Sequence, residues 1–308
     1  MSYRERMRRP RVATALMTFL LAACGAVEPS PDDPQVRPIG GVWDSSLRVP
    51  GDPFRGFGAW VDVYDRELWA DPEGTVEEIA GRGVRTLYLQ TASTIPQKGP
   101  IRFPRLTARF LDAARAHGIR TVAWYLPKLL GAPRDLRRGL AAAAFTTSNG
   151  SRFDGIGVDI EVTAEADDGI RAARLVGLSR QLRAIVGPRY PLGAIVPSPI
   201  RGPDFWPILP VRELSQTYDA ILPMAYWTFH VSGEDDAHAY ISRSVRLLRD
   251  EAGPEVPIHV IGGIADPATP AELRGFVRAV RESGVIGASV YDVDTTDERG
   301  WAVLGELG

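Results

Sequence analysis

The segment FDGIGVDIE, residues 153–161, ends in two carboxylic acids two positions apart, Asp159 and Glu161. Side chains alternate along a strand, so Ile156, Val158 and Ile160 share one face while Gly157, Asp159 and Glu161 share the other. The apolar face has to pack on other elements, which turns both acids to the opposite side, about 6.5–7 Å apart at their Cα atoms. Like charges at that separation raise one pKa. A carboxyl that stays protonated at neutral pH is what a glycosidic leaving group requires of a general acid. Glu161, nearer the strand end, has the reach toward a ligand, and Asp159 sits deeper as its partner. Alternation alone does not say which of the two holds the proton, and an inward ion pair with an arginine is the plainer structural alternative.

Elements that would position such a pair can be counted along the chain. Short β-rich apolar runs occur at 57–63, 86–90, 121–125, 155–160, 192–196, 220–226, 258–263 and 286–291. Between them lie stretches of helical spacing, among them 105–117, 166–186, 237–249 and 271–282. Gly118, Gly187 followed by Pro188, and Gly284 are the helix stops expected before the next strand. Eight such units predict a parallel sheet closed into a single (β/α)8 barrel, an α/β fold, over 54–308. An open doubly wound sheet is the alternative, and it lacks a glycine-rich dinucleotide turn after the first strand.

In a barrel of this kind the site lies at the carboxyl ends of the strands. The residues there are polar and aromatic: Trp60, Asp62 and Tyr64; Gln90; Trp124 and Tyr125; Asp159 and Glu161; Ser198; Tyr226 and Trp227; Asp266; Tyr291, Asp292 and Asp294. Aromatic faces with carboxylates and no histidine cluster suit carbohydrate, whose C–H faces stack on rings while its hydroxyls bond to acids and amides. Any one of these rings serves equally well as filler for the barrel.

FDGIGVDIE resembles the fourth-strand signature of family 18 glycoside hydrolases, the chitinase-like enzymes. The resemblance puts Glu161 on the family's catalytic acid and Asp159 on the acid that orients the substrate's acetamido group. Gly157 departs from it, because the family has a further Asp there that tunes its neighbour. Two weaker stretches agree. ILPMAYW, residues 221–227, is similar to the sixth-strand motif, with Met224 and Tyr226 on it and Trp227 where the family has an acid. GASVYDVD, residues 287–294, is similar to the eighth-strand segment, with Tyr291 in place of the tryptophan that floors the sugar site. The resemblance implies a retaining, substrate-assisted hydrolysis of β-linked N-acetylated glycans. Glu161, Asp159 and Tyr226 would be catalytic, and Trp60, Asp62, Gln90, Trp124, Tyr125, Trp227, Tyr291 and Asp294 would bind substrate. Losing the tuning acid is also how such a barrel becomes a glycan-binding lectin without turnover.

The remainder of the sequence narrows the setting. A formal net charge of −2 and a pI near 6.1 give no bulk attraction to nucleic acid. The four histidines, His117, His230, His238 and His259, have no paired ligand spacing, so neither a metal nor a cofactor is expected. Residues 1–24 combine an arginine-rich start with an apolar run, 12–23, too short to span a bilayer. The run stops at Leu21, Ala22, Ala23 and Cys24, and Cys24 is the one cysteine in the chain. This resembles the lipobox of bacterial lipoproteins, which implies lipidation at Cys24 and a protein exported and anchored to the outer face of the cytoplasmic membrane. The Pro- and Asp-rich stretch after it reads as a tether, 25–53, ahead of the barrel. A monomer whose partners are an oligosaccharide or cell-wall glycan and the membrane is the expectation. Glycines in VIGGIAD, 260–266, and GVIGAS, 284–289, leave a phosphate-binding barrel enzyme as a further alternative.

Overall fold

The computed structural model describes residues 52–204 and 206–308. The signal segment, Cys24 and nearly all of the tether lie outside them. Eight parallel strands close into one barrel in sequence order: β1 (Gly56–Val61), β2 (Thr86–Ala92), β3 (Arg120–Tyr125), β4 (Gly155–Asp159), β5 (Leu192–Pro197), β6 (Ala220–Met224), β7 (His259–Ile264) and β8 (Gly287–Tyr291). The barrel shuts where β8 pairs with β1 through Gly56↔Gly287 and Gly58↔Ser289. Each strand matches an apolar run in the sequence, and the sheet is the closed one rather than the open alternative.

Helices follow the strands in the order such a barrel requires: α1 (Arg66–Ala70), α2 (Pro72–Gly81), α3 (Pro104–Ala116), α4 (Ala132–Ala144), α5 (Asp168–Val186), α6 (Val211–Ser215), α7 (Glu234–Ala252), α8 (Pro270–Glu282) and α9 (Glu298–Leu304). Local signals account for their ends. Thr269 and Glu272 form a reciprocal capping box with Pro270 at the first turn of α8. Gly187 closes α5 at φ +85°, a left-handed turn that costs glycine little. Among the described residues no helix is long and apolar enough to cross a membrane.

Side-chain alternation divides the core into two layers. Ile156, Val158 and Ile160 of the β4 segment are fully buried on one side. The barrel interior on the other side is filled by Phe54, Trp60, Tyr88, Val122, Trp124, Ile195, Leu222 and Ile261. Trp60 stacks on Tyr88 with ring centroids 4.1 Å apart and meets Trp124 edge-on at 5.2 Å. Three polar side chains in this interior, Trp60, Ser289 and His259, are linked in one chain. The Trp60 indole N–H donates to Ser289 Oγ (2.8 Å), Ser289 Oγ lies 2.9 Å from His259 Nε2, and His259 Nδ1 lies 2.8 Å from the Phe54 carbonyl. Burial pulls the His259 pKa down to about 4, so the ring is neutral and donates from Nδ1 to the carbonyl. This relay packs the depth of the barrel, where His259 opens β7.

Candidate active site

β4 delivers the two acids as alternation predicts, to different depths. Asp159 is buried, at 3% exposure, while Glu161, two residues on and past the strand end, is exposed. Trp124, at the end of the neighbouring β3, donates its indole N–H to Asp159 Oδ2 at 2.7 Å. The other oxygen, Oδ1, is buried and has no partner in the protein. Burial, and then the charge of Glu161, push the Asp159 pKa well above the ordinary carboxylate range, against the smaller opposing pull of the Trp124 hydrogen bond. Ionisation of the deeper acid is thus disfavoured by its burial and by its neighbour. Gly157, on the same face one step deeper, is closely approached by Ile195. A Cβ placed there would lie 2.9 Å from Ile195 Cδ1 and 3.6 Å from Val122 Cγ1. Those two side chains occupy the space where an additional acid would project.

A second group of acids meets the mouth through Tyr291. Its hydroxyl donates to Asp62 Oδ2, and its ring lies 6.0 Å from Trp124 and 6.4 Å from Tyr226. Asp62, Asp65 and Asp292, from the loops after β1 and β8, are all buried, with one oxygen from each within 4.8 Å of the others. Much of their accepting capacity is already used. Asp65 Oδ2 accepts the Asp62 N–H (2.7 Å), and Asp292 Oδ1 accepts from the Thr295 N–H (3.1 Å) and hydroxyl (2.9 Å). Burial, followed by the charges of Asp62 and Asp292, lifts the Asp65 pKa to about 9, and burial lifts that of Asp292 to about 7. Asp65 thus stays protonated at neutral pH.

Asp65 carries a pH-dependent cost. Unfolded, it ionises near pH 4, whereas folded it keeps its proton to about pH 9. Its contribution to stability is therefore complete below pH 4 and is lost as pH rises toward the folded pKa. Asparagine keeps an oxygen for the Asp62 N–H and does not ionise. Asp65→Asn is expected to raise the thermal midpoint at pH 9 by at least about 2–4 °C, the equivalent of roughly 1 kcal/mol for a domain of this size, and by much less at pH 4.5. Melting curves at the two pH values check this, and an equal effect at both would refute it.

The other sequence-predicted positions divide by side-chain parity and depth. Gln90 points inward and accepts the Val63 N–H on Oε1 (3.0 Å). Tyr226 is half-buried at the mouth just past β6, and Met224 packs on the interior cluster. Asp294 is exposed in the loop after β8. Three aromatic residues lie elsewhere than expected. Tyr125 follows inward-facing Trp124 and so faces out, its hydroxyl 3.1 Å from where a Cβ on Gly139 of α4 would stand. Trp227 is also outside, fully buried and stacked on Phe276 of α8 at 5.2 Å. Trp60 faces in but lies two residues before Asp62, where 1% exposure leaves no face for a sugar. These three are packing residues. So are the β7 glycines of the phosphate-binding alternative, since Cβ atoms on Gly262 and Gly263 would stand 2.7 Å from the Trp227 ring and 2.6 Å from Thr228. Sequence reasoning did not single out Asp65, and the DVYD spacing of 62–65 at the end of the first strand was its one available signal.

With the barrel and its mouth defined, known structures can be set beside them. The endo-β-1,4-mannanase of Thermotoga petrophila superposes with a TM-score of 0.65 at 12% identity, covering 84% of this chain and 77% of that one. The spore cortex-lytic enzyme SleL of Bacillus cereus gives 0.60 at 10% identity, with 82% and 74% covered. A family 18 chitinase of Cycas revoluta gives 0.59 at 13% identity, with 82% and 99% covered. The barrel shares its fold with these three proteins. No protein-family model and no curated protein matches the sequence. At such identities the likeness is one of fold, and the chemistry rests on the residues at the mouth.

Proposed function

We propose that this chain is a membrane-anchored glycoside hydrolase-like protein that cleaves β-linked, N-acetylated glycans by a retaining, substrate-assisted mechanism. The observation that carries the reading is the pair at the end of β4, a buried Asp159 tied to Trp124 and an exposed Glu161 at the mouth. In this mechanism the substrate's own acetamido carbonyl oxygen attacks the anomeric carbon as Glu161 protonates the departing glycosidic oxygen. Asp159 holds the acetamide and stabilises the charged ring that forms. Tyr226 hydrogen-bonds the carbonyl oxygen. Water then opens the ring, with Glu161 taking back a proton, so the anomeric configuration is retained. The Cycas chitinase has been solved with allosamidin and with (GlcNAc)3, in keeping with this substrate class.

One observation favours a second reading. Ile195 fills the space beside Gly157 and Trp227 turns outward, so neither position gives the mouth an additional acid. A glycan-binding lectin would retain the rings and lose the turnover. Protein lacking residues 1–24, incubated with N-acetylglucosamine oligomers, separates the two. New reducing ends support the hydrolase, and binding that leaves the oligomer intact supports the lectin.

Anchoring is proposed from the sequence alone. The run ending in Leu21, Ala22, Ala23 and Cys24 supports lipidation of Cys24 and tethering at the outer face of the cytoplasmic membrane. Cys24→Ser is expected to move the protein from the membrane fraction to the soluble one. Unchanged membrane retention and unchanged mass would count against it.

A further inference from the structure

The Asp159 carboxyl stands on an apolar floor. Gly157 offers no side chain, and Ile195 and Val122 close the space around it. Of the carboxyl's two oxygens, Oδ2 accepts the Trp124 indole N–H at 2.7 Å and Oδ1 has no partner. An indole N–H donates and cannot accept, so it favours a bare oxygen at Oδ2 and a carboxyl proton on Oδ1. The indole itself is held. It lies edge-on to Trp60 at 5.2 Å and to Tyr291 at 6.0 Å, with 5% of its surface exposed.

We propose that Trp124 is the positioning residue of this site, its N–H locking the Asp159 carboxyl so that Oδ1 alone is left for a polar hydrogen-bonding group of the ligand. A buried oxygen without a partner is costly, and a ligand amide or hydroxyl that meets it recovers that cost, which makes the locked carboxyl a selector for such groups. Without the N–H the carboxyl turns about its own bond and either oxygen faces the ligand. The effect on turnover rests on the hydrolase reading given above, whereas the locking itself does not.

Two measurements test the role. In protein labelled with 15N-tryptophan, the Trp124 indole resonance is expected to move with pH as the Asp159–Glu161 pair titrates, and to stop moving in Asp159→Asn. This needs neither turnover nor a Trp124 variant. Trp124→Phe keeps a ring between Trp60 and Tyr291 but removes the one direct hydrogen bond that favours ionised Asp159. In that variant the pH–rate limb belonging to the pair is expected to shift upward by about one unit, with kcat falling more than KM rises. A purely structural tryptophan would alter the melting temperature and leave the pH profile in place. An indole resonance indifferent to pH, or a Trp124→Phe profile that coincides with wild type, overturns the proposal. A titrating indole in a protein that never cleaves oligosaccharide upholds the positioning role and removes the hydrolase reading instead.

Discussion

Replacing Glu161 by glutamine is expected to lower turnover of an N-acetylglucosamine oligomer by about 10²- to 10⁴-fold, the usual contribution of a general acid, with little change in affinity. Glutamine matches glutamate in size and keeps an acceptor oxygen, so an exposed residue at the mouth is exchanged without disturbing the barrel. What it lacks is the proton that the glycosidic oxygen needs as it leaves. A second effect follows from the electrostatics of the pair. The Glu161 charge is one of the causes that raise the Asp159 pKa, so its removal brings Asp159 back toward the ordinary range, though burial still holds it high. The residual activity of Glu161→Gln should accordingly lose the pH limb due to the acid and show Asp159 titrating at lower pH. Steady-state kinetics across pH 4–9, with oligosaccharide affinity measured separately, check both effects. A wild-type rate in the variant would end the proposed mechanism.

The parts of the fold legible in the sequence are those with a local cause. Eight apolar runs with strand periodicity sit at the eight strands, and Gly118, Gly187 and Gly284 have the positive φ that helix stops require. Short α1, α6 and α9, of five to seven residues, have too few turns to show a period. β6 ends at Met224, two residues before the apolar run does, because the chain turns there into a short 3-10 helix over Trp227–Phe229.

At the site, parity decided what could be read. On β4 the acids were assigned to a face by alternation, and the structure agrees. On β3 the adjacent Trp124 and Tyr125 both stand at the strand end, yet only one of two neighbours can face inward, and Tyr125 is the one that packs against α4. Depth is not a local property either. Trp60 in β1 and Asp62 just past its end are two residues apart, and one layer separates a ring stacked on Tyr88 from an acid bonded to Tyr291. The group formed by Asp62, Asp65 and Asp292 exists because β8 closes on β1, bringing together residues more than two hundred positions apart. No spacing pattern within either segment announces that contact.

Asp159→Asn isolates the role of the deeper acid. The asparagine carbonyl oxygen can accept the Trp124 N–H as Oδ2 does, so the side chain keeps its anchor and the barrel its packing. The ionisable oxygen that faces no protein partner is replaced by an amide NH2, which donates but neither carries charge nor exchanges a proton with Glu161. If Asp159 stabilises the positive charge that develops when the acetamido oxygen attacks, turnover of N-acetylated oligomers should fall by about 10²- to 10³-fold, the scale of losing one preorganised electrostatic partner. The comparison that gives this meaning is a β-linked oligosaccharide without acetamido groups, on which any slow cleavage should be affected far less. An equal loss on both substrates would show that Asp159 acts through the charge state of Glu161 and not through the acetamide. A variant as fast as wild type on the N-acetylated oligomer would remove Asp159 from the reaction and leave the buried carboxyl as a binding or packing group.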